Sequence, residues 1–73
     1  MSIQSKIIKR QLPSGKWIID ITPPWDYRTC SWNGRGLDFD KEMRLMSCTW
    51  YDECRANLEY NNALDYIKDL EAL

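Results

Sequence analysis

The chain has 73 residues, of which ten are basic and eleven acidic, and it contains no histidine. A chain of this length forms at most one domain, and so small a domain buries only about 60% of the surface exposed by its unfolded chain. We therefore expect residues 1–73 to form a single domain with little room for a deep catalytic pocket. Without histidine, Ser-His-Asp and Cys-His catalysis are excluded within one chain, so we expect a non-enzymatic protein without a cofactor.

The sequence also bears on the location of the protein. No run of about 18 apolar residues is present that could span a membrane. The N-terminal residues 1–6 lack the apolar core and the small-residue cleavage site of a signal peptide. We therefore expect a cytoplasmic protein with no membrane partner.

Cys30, Cys48 and Cys54 are odd in number and irregularly spaced, which is a poor pattern for disulfides. We expect three reduced, partly buried thiols that behave as small apolar side chains. A metal site with Asp52 or Glu53 as its fourth ligand and a redox-regulated cysteine pair are the alternatives. Since no two cysteines have the close spacing of a zinc site, no metal is predicted.

The first third of the chain predicts a β-hairpin. Residues 3–12 alternate imperfectly between apolar and polar side chains, which indicates an edge strand. Pro13-Ser14-Gly15 predicts the turn, because proline presets one backbone angle and glycine accepts positive φ. Residues 16–22 predict the return strand, in which Trp17, Ile19 and Ile21 share one side.

Two further strands are predicted after Pro23-Pro24, where neither proline can donate to a sheet. Residues 27–32 predict the third strand, Asn33-Gly34 a two-residue hairpin turn, and residues 35–40 the fourth strand. Residues 41–50 fit either a fifth strand or a helical turn. The β-forming residues near the end of this segment favour the strand.

From Asp52 onward the spacing of apolar residues becomes helical. Thr49 is the predicted N-cap, with Asp52 as its capping-box partner, and Asn61-Asn62 is a point where the helix could kink or split. The predicted helical stripe steps by four and three residues and consists of Ala56, Tyr60, Ala63, Ile67 and Leu70.

The predicted fold class is α+β, an antiparallel meander of four to five short strands packed by one C-terminal helix. A small sheet needs such a helix because it cannot bury its apolar face alone. The predicted core consists of Ile7 or Ile8, Trp17, Ile19, Ile21, Leu37, Phe39, Leu45, Ala56, Tyr60, Ile67 and Leu70.

The basic hairpin is the first candidate for function. Its sequence over residues 9–17, Lys-Arg-Gln-Leu-Pro-Ser-Gly-Lys-Trp, resembles the opening hairpin of the arm-type DNA-binding domain of phage integrases, and the resemblance covers residues 1–22. It implies a three-stranded sheet followed by a helix, and a phage or mobile-element origin. The cations that could contact phosphates are Lys6, Lys9, Arg10 and Lys16. Alternatively, these charges protect an edge strand from aggregation.

The aromatic residues are the second candidate, because four tryptophans and four tyrosines exceed what one small core can hide. Several of them, including Trp50, fall at predicted bends or strand ends, where we expect partial exposure. Aromatic side chains beside arginine are typical of protein–protein hot spots. The predicted protein-binding residues are Trp25, Tyr27, Arg28, Trp32 and Arg35. Aromatic side chains that cap the core from its edges, or that stack on nucleic-acid bases, are the alternatives.

Charge divides the chain into two parts. Residues 1–35 carry six basic and two acidic side chains, whereas residues 36–73 carry four basic and nine acidic ones. The acidic part predicts either a solvated helix face or a surface that docks on a basic partner.

These patterns together predict a small binding protein. We expect a phage-type regulator, monomeric or weakly dimeric, that inhibits or redirects a host protein such as RNA polymerase or a nuclease. The alternative is a small nucleic-acid-binding regulator that uses the basic hairpin.

Overall fold

A computed structural model describes residues 5–23, 25 and 28–72 of the chain. It contains an antiparallel sheet and a C-terminal helix, which confirms the predicted α+β class. The elements in chain order are β1 Lys6–Gln11, β2 Trp17–Thr22, β3 Cys30–Trp32, β4 Leu37–Asp38, α1 Lys41–Ser47, β5 Thr49–Trp50 and α2 Glu53–Glu71.

Strand β2 is the centre of the sheet. It pairs along its whole length with β1, from Gln11 opposite Trp17 to Lys6 opposite Thr22. Its other edge is shared, because β5 pairs with Trp17 and Ile18 and β3 pairs with Asp20 and Ile21. The order β1-β2-β3-β4 is the predicted meander, and β5 lies beside it.

The predicted β1–β2 hairpin is confirmed within the described residues. The Leu12 amide donates to the Lys16 carbonyl at 2.7 Å, and the Gly15 amide donates to the Leu12 carbonyl at 2.9 Å. Gly15 has a φ of 93°, which glycine adopts without strain. The turn residues therefore act as their sequence predicts.

The hairpin between β3 and β4 differs from its prediction by one residue. The Asn33 amide donates to the Gly36 carbonyl at 3.0 Å, and Trp32 pairs with Leu37. The two central turn residues are therefore Gly34 and Arg35 rather than Asn33 and Gly34. The Asn33 side chain instead accepts the amides of Arg35 and Gly36, both at 2.8 Å. The predicted third and fourth strands are also longer than β3 and β4.

The strand predicted over residues 41–50 is wrong for most of its length, because α1 occupies Lys41–Ser47 and only Thr49–Trp50 is a strand. Asp40 starts the helix, since its carboxylate accepts the amides of Glu42 at 2.9 Å and Met43 at 3.1 Å. A local cap therefore overrides the weak strand pattern.

Helix α2 runs unbroken from Glu53 to Glu71, so Asn61-Asn62 lies inside a continuous helix. The predicted N-cap is wrong, because Thr49 belongs to β5. Asp52 caps the helix instead, and its carboxylate accepts the Cys54 amide at 3.0 Å.

The core lies between the sheet and α2. Its buried members are Ile19, Ile21, Cys30, Trp32, Ala63 and Ile67, and Ile7, Leu37, Trp50, Tyr60, Tyr66 and Leu70 pack at its margin. Two predicted core residues are wrong, since Phe39 and Leu45 are 36% and 50% exposed. Ile18 and Ile19 are both fully buried, although consecutive residues of a strand face opposite sides of the sheet. Strand β2 is therefore covered on both faces.

Candidate functional site

The face of the sheet opposite α2 carries the candidate site. Side chains alternate along a strand, so Ile19 and Ile21 point to the α2 core while Ile18 and Asp20 point to the other face. Arg10 of β1 lies beside them, because it pairs with Ile18 in the register. Helix α1 covers this face in part.

Asp20 is the centre of a hydrogen-bonded cluster that we name the Asp20 network (Arg10, Asp20, Ser31 and Arg44). Arg10 Nε donates to Asp20 Oδ2 at 2.6 Å, and Arg44 Nη2 donates to Oδ1 at 2.9 Å. Ser31 Oγ donates to Oδ1 at 2.9 Å and accepts from Arg44 Nε at 2.8 Å. Arg44 Nη1 also donates to a backbone carbonyl, that of Thr29, at 3.2 Å. The network therefore ties α1 to β1, β2 and β3.

Burial by itself raises the pKa of Asp20, but hydrogen bonds from Arg10, Arg44 and Ser31 outweigh this effect. The pKa of Asp20 therefore lies below its ordinary value, and the carboxylate is ionised at neutral pH. Burial beside Asp38 raises the pKa of the nearby Cys48 thiol to about 11. Cys48 is thus a protonated and unreactive thiol, in keeping with a role in packing.

Helix α1 has no buried residue, and its apolar side chains face solvent. Met43 and Met46 are three residues apart, a spacing that places them on one side of a helix, and Met46 is 76% exposed. We define the α1 surface as Phe39, Met43, Leu45 and Met46. Arg28 extends it, because its guanidinium lies 4.8 Å from the centre of the Phe39 ring.

A pocket of about 110 Å³ lies between α1 and the sheet, at the side of the α1 surface. Arg10 and Ile18 line it from the sheet, and Lys41, Arg44 and Leu45 line it from α1. The pocket therefore combines three cationic side chains with an apolar floor and wall.

One of the predicted protein-binding residues is buried. The expected exposure of Trp32 is wrong, because this side chain is 4% exposed and belongs to the core. Its indole Nε1 donates to Glu59 Oε1 at 2.9 Å, and its ring lies 5.2 Å from that of Tyr66. Trp25, Arg28 and Arg35 are exposed, and Tyr27 lies outside the described residues. Of these, Arg28 contacts the α1 surface.

The four cations of the basic hairpin are divided between the two faces of the sheet. Lys9 faces α2, where it pairs with Glu53 at 3.2 Å, bonds to Asn57 and lies over the Trp17 ring. Arg10 faces the other way in the Asp20 network. Lys16 lies over the Tyr51 ring, and Lys6 is exposed. The hairpin thus offers no continuous row of cations to a nucleic acid.

The acidic part of the chain contains several carboxylates with structural roles. Asp40 and Asp52 cap the two helices. Glu59 is buried, and burial by itself raises its pKa. Hydrogen bonds from Trp32 and Asn62, together with the charge of Arg55, outweigh this effect and hold the pKa below its ordinary value.

Comparison with known proteins found no matching family model, no matching curated protein and no matching solved structure. In the described part of the chain, no group of Cys, Asp and Glu side chains is arranged to hold a metal ion. Neither helix of that part has the length and apolar character needed to cross a bilayer.

The α1 surface was not predicted, although the sequence carries a signal for it. Phe39, Met43 and Met46 are spaced by four and three residues, which is the helical period. Asp40, a favoured N-cap residue, stands directly before the segment. In a strand, by contrast, Met43 and Met46 would face opposite sides of the sheet.

Proposed function

We propose that this chain is a non-enzymatic protein-binding module that engages its partner through the α1 surface. One observation carries the proposal. Of the eight large apolar side chains exposed in the described residues, four belong to residues 39–46, and three of these four lie in α1, a helix that buries none of its residues. Concentrated apolar exposure on a small protein is typical of an interaction site.

The composition of the α1 surface supports a protein partner. Methionine has a flexible and polarisable side chain that adapts to varied apolar surfaces, and aromatic residues and arginine are enriched at interfaces. Met43 and Met46 supply the first property, and the Phe39–Arg28 pair supplies the second. The partner therefore presents an apolar segment that packs on α1.

The more specific form of the proposal is a phage-type regulator that acts in the host cytoplasm and inhibits or redirects a host protein, such as RNA polymerase or a nuclease. The small size of the chain and the resemblance of residues 1–22 to a phage domain support this form. Nucleic-acid binding receives less support, because the hairpin cations are divided between two faces and three of the four have partners within the chain.

The proposal is tested by matched substitutions that each place a charge on an exposed apolar residue. Met46→Glu alters the α1 surface, whereas Leu58→Glu alters an exposed leucine on α2. Because both side chains are exposed, each variant should keep the stability of the parent to within about 0.5 kcal/mol. We expect Met46→Glu to weaken partner binding at least about tenfold, since an apolar side chain buried in an interface contributes about 1.5–3 kcal/mol.

The measurement is affinity purification from bacterial lysate with quantitative mass spectrometry. A partner retained by the parent chain and by Leu58→Glu, but lost with Met46→Glu, supports the proposal. If Met46→Glu retains the same proteins as the parent, the α1 surface is not the binding site. Immobilised RNA polymerase, tested with the same three proteins, examines the more specific form directly.

A further inference from the structure

The pocket beside α1 contains cationic groups that have no partner among the residues that the structure describes. Arg10 bonds to Asp20 through Nε, and its terminal Nη groups make no hydrogen bond with a described residue. Lys41 has no ion pair or hydrogen bond with any described residue, although it lines the same pocket. Arg44, by contrast, uses all three of its nitrogens.

Among the side chains that line the pocket and the carboxylate paired with them, positive charge is in excess. Arg10, Lys41 and Arg44 carry three positive charges, and Asp20 neutralises one of them. The excess positive charge lies above the fully buried Ile18 and beside Leu45. Charges next to an apolar surface interact more strongly than charges in open water, because the local dielectric constant is lower.

The position of Lys41 is not explained by the stability of α1. It is the first residue of the helix, where the helix dipole favours acidic side chains and disfavours cations. A lysine at this position therefore costs the helix some stability, while it adds positive charge to the pocket.

We propose that this pocket binds the carboxylate of a single aspartate or glutamate side chain in an otherwise apolar segment of the partner. The Arg10 Nη groups and Lys41 Nζ donate hydrogen bonds to the carboxylate. The positive charge of Arg44 attracts the carboxylate, and its hydrogen bond holds Asp20 in place. This inference rests on the proposed function, because apolar residues of the same segment pack on Met43 and Met46. The acidic group fixes where along α1 that segment binds.

The surroundings of the pocket favour a carboxylate over a nucleic-acid phosphate. Asp38, Asp40 and Glu42 lie within three residues of Lys41, and they repel the many phosphates of a nucleic acid more strongly than they repel one carboxylate. Nucleic acids are bound by many cations along the backbone, whereas this pocket offers one small cationic site with an apolar wall. A single acidic side chain beside apolar residues matches this arrangement.

Short synthetic peptides test the inference with the full chain. Each fluorescent peptide combines leucine or phenylalanine with glutamate or aspartate, and an otherwise identical peptide carries glutamine or asparagine instead. We expect the parent chain to bind acidic peptides at least about tenfold more tightly than their amide counterparts, because charge-assisted hydrogen bonds are lost in the latter.

Lys41→Glu and Lys6→Glu form a matched pair of variants. Both change an exposed lysine to glutamate and alter the net charge equally, but only Lys41 lines the pocket. We expect Lys41→Glu to remove the preference for acidic peptides and Lys6→Glu to retain it. Since glutamate suits the first turn of a helix, a loss of binding in Lys41→Glu does not arise from unfolding of α1.

The outcomes separate this inference from the proposed function. If acidic and amide peptides bind equally well and Met46→Glu abolishes the binding of both, the α1 surface binds proteins but the pocket does not recognise a carboxylate. If the two lysine variants behave alike, the pocket inference is also wrong. If no peptide binds and a single-stranded DNA probe binds in a Lys41-dependent manner, both proposals are overturned in favour of a phosphate site.

Discussion

Helix α2 packs on one face of the sheet through buried apolar side chains, whereas α1 rests on the other face through the hydrogen bonds of Arg44. The first arrangement removes the apolar side chains of the helix from water. The second holds a helix in place through Arg44, while the apolar side chains of that helix remain 42% to 76% exposed. This difference explains how so small a domain can be folded and still present Met43 and Met46 to a partner.

We call the face of the sheet that packs on α2 the apolar face, and the face that carries the Asp20 network the ionic face. The largest expected effect on stability comes from disrupting the packing of the apolar face. Trp32→Ala removes a buried ring that packs on Tyr66 and leaves the Glu59 carboxylate without its indole donor. We expect the free energy of unfolding to fall by about 3–5 kcal/mol, as for other buried large-to-small substitutions. Urea unfolding followed by circular dichroism measures the change.

Trp25→Ala is the control for this prediction, since it deletes the same atoms from a side chain that is 56% exposed. We expect it to cost less than about 1 kcal/mol. Equal losses of unfolding free energy in the two variants would show that packing of the Trp32 ring does not stabilise the apolar face.

A smaller effect is expected from breaking the ionic face. Arg44→Met removes two of the hydrogen bonds that Ser31 and Asp20 make and leaves Asp20 with Arg10 as its only cationic partner in the Asp20 network. We expect a loss of about 2 kcal/mol, because a partly buried carboxylate loses a charged donor. The same urea experiment measures it.

Arg35→Met serves as the matched control, because Arg35 is an exposed residue of the β3–β4 turn. Its cost should stay within about 0.5 kcal/mol. If Arg44→Met is no more destabilised than Arg35→Met, the Asp20 network does not hold α1 on the sheet.

Acid should weaken both faces, each through one carboxylate. Asp20 and Glu59 have pKa values in the folded state that lie below their ordinary values. Their contribution to stability is therefore complete above the unfolded-state pKa of about 4 and is lost as the pH falls through the lower folded-state values. We expect the free energy of unfolding to decrease below about pH 5.

Substitution separates the two contributions to this acid sensitivity. Asp20→Asn removes the titrating group of the ionic face, and Glu59→Gln removes that of the apolar face. Each variant should lose stability less steeply between about pH 5 and pH 3 than the parent. A variant whose stability falls as steeply as that of the parent would exclude its carboxylate as the cause.

The predictable parts of the fold are those determined by neighbouring residues. The turn at Pro13-Ser14-Gly15 and the alternation in β2 define the first hairpin, and the helical spacing after Asp52 defines α2. These signals depend on local backbone preferences and on one periodic face, so the sequence alone contains them.

The parts that could not be predicted depend on contacts distant in sequence. Trp32 is buried because Glu59, 27 residues later, accepts its indole hydrogen bond, and Ile18 is buried because α1 covers the second face of the sheet. The seven residues of α1 are too few to distinguish a helical from a strand period. The candidate site was missed for the same reason, since it exists only where α1 meets β1 and β2.

The absence of a buried residue in α1 also affects how the protein moves. Separation of this helix from the sheet uncovers Ile18 but no buried residue of α1 itself, whereas β2 is hydrogen-bonded to three strands and opens only with a larger part of the domain. Backbone amides of α1 should therefore exchange with deuterated solvent through local opening, long before those of β2. A molecule bound to α1 will slow that exchange, so the amides of α1 report directly on whether the surface is occupied.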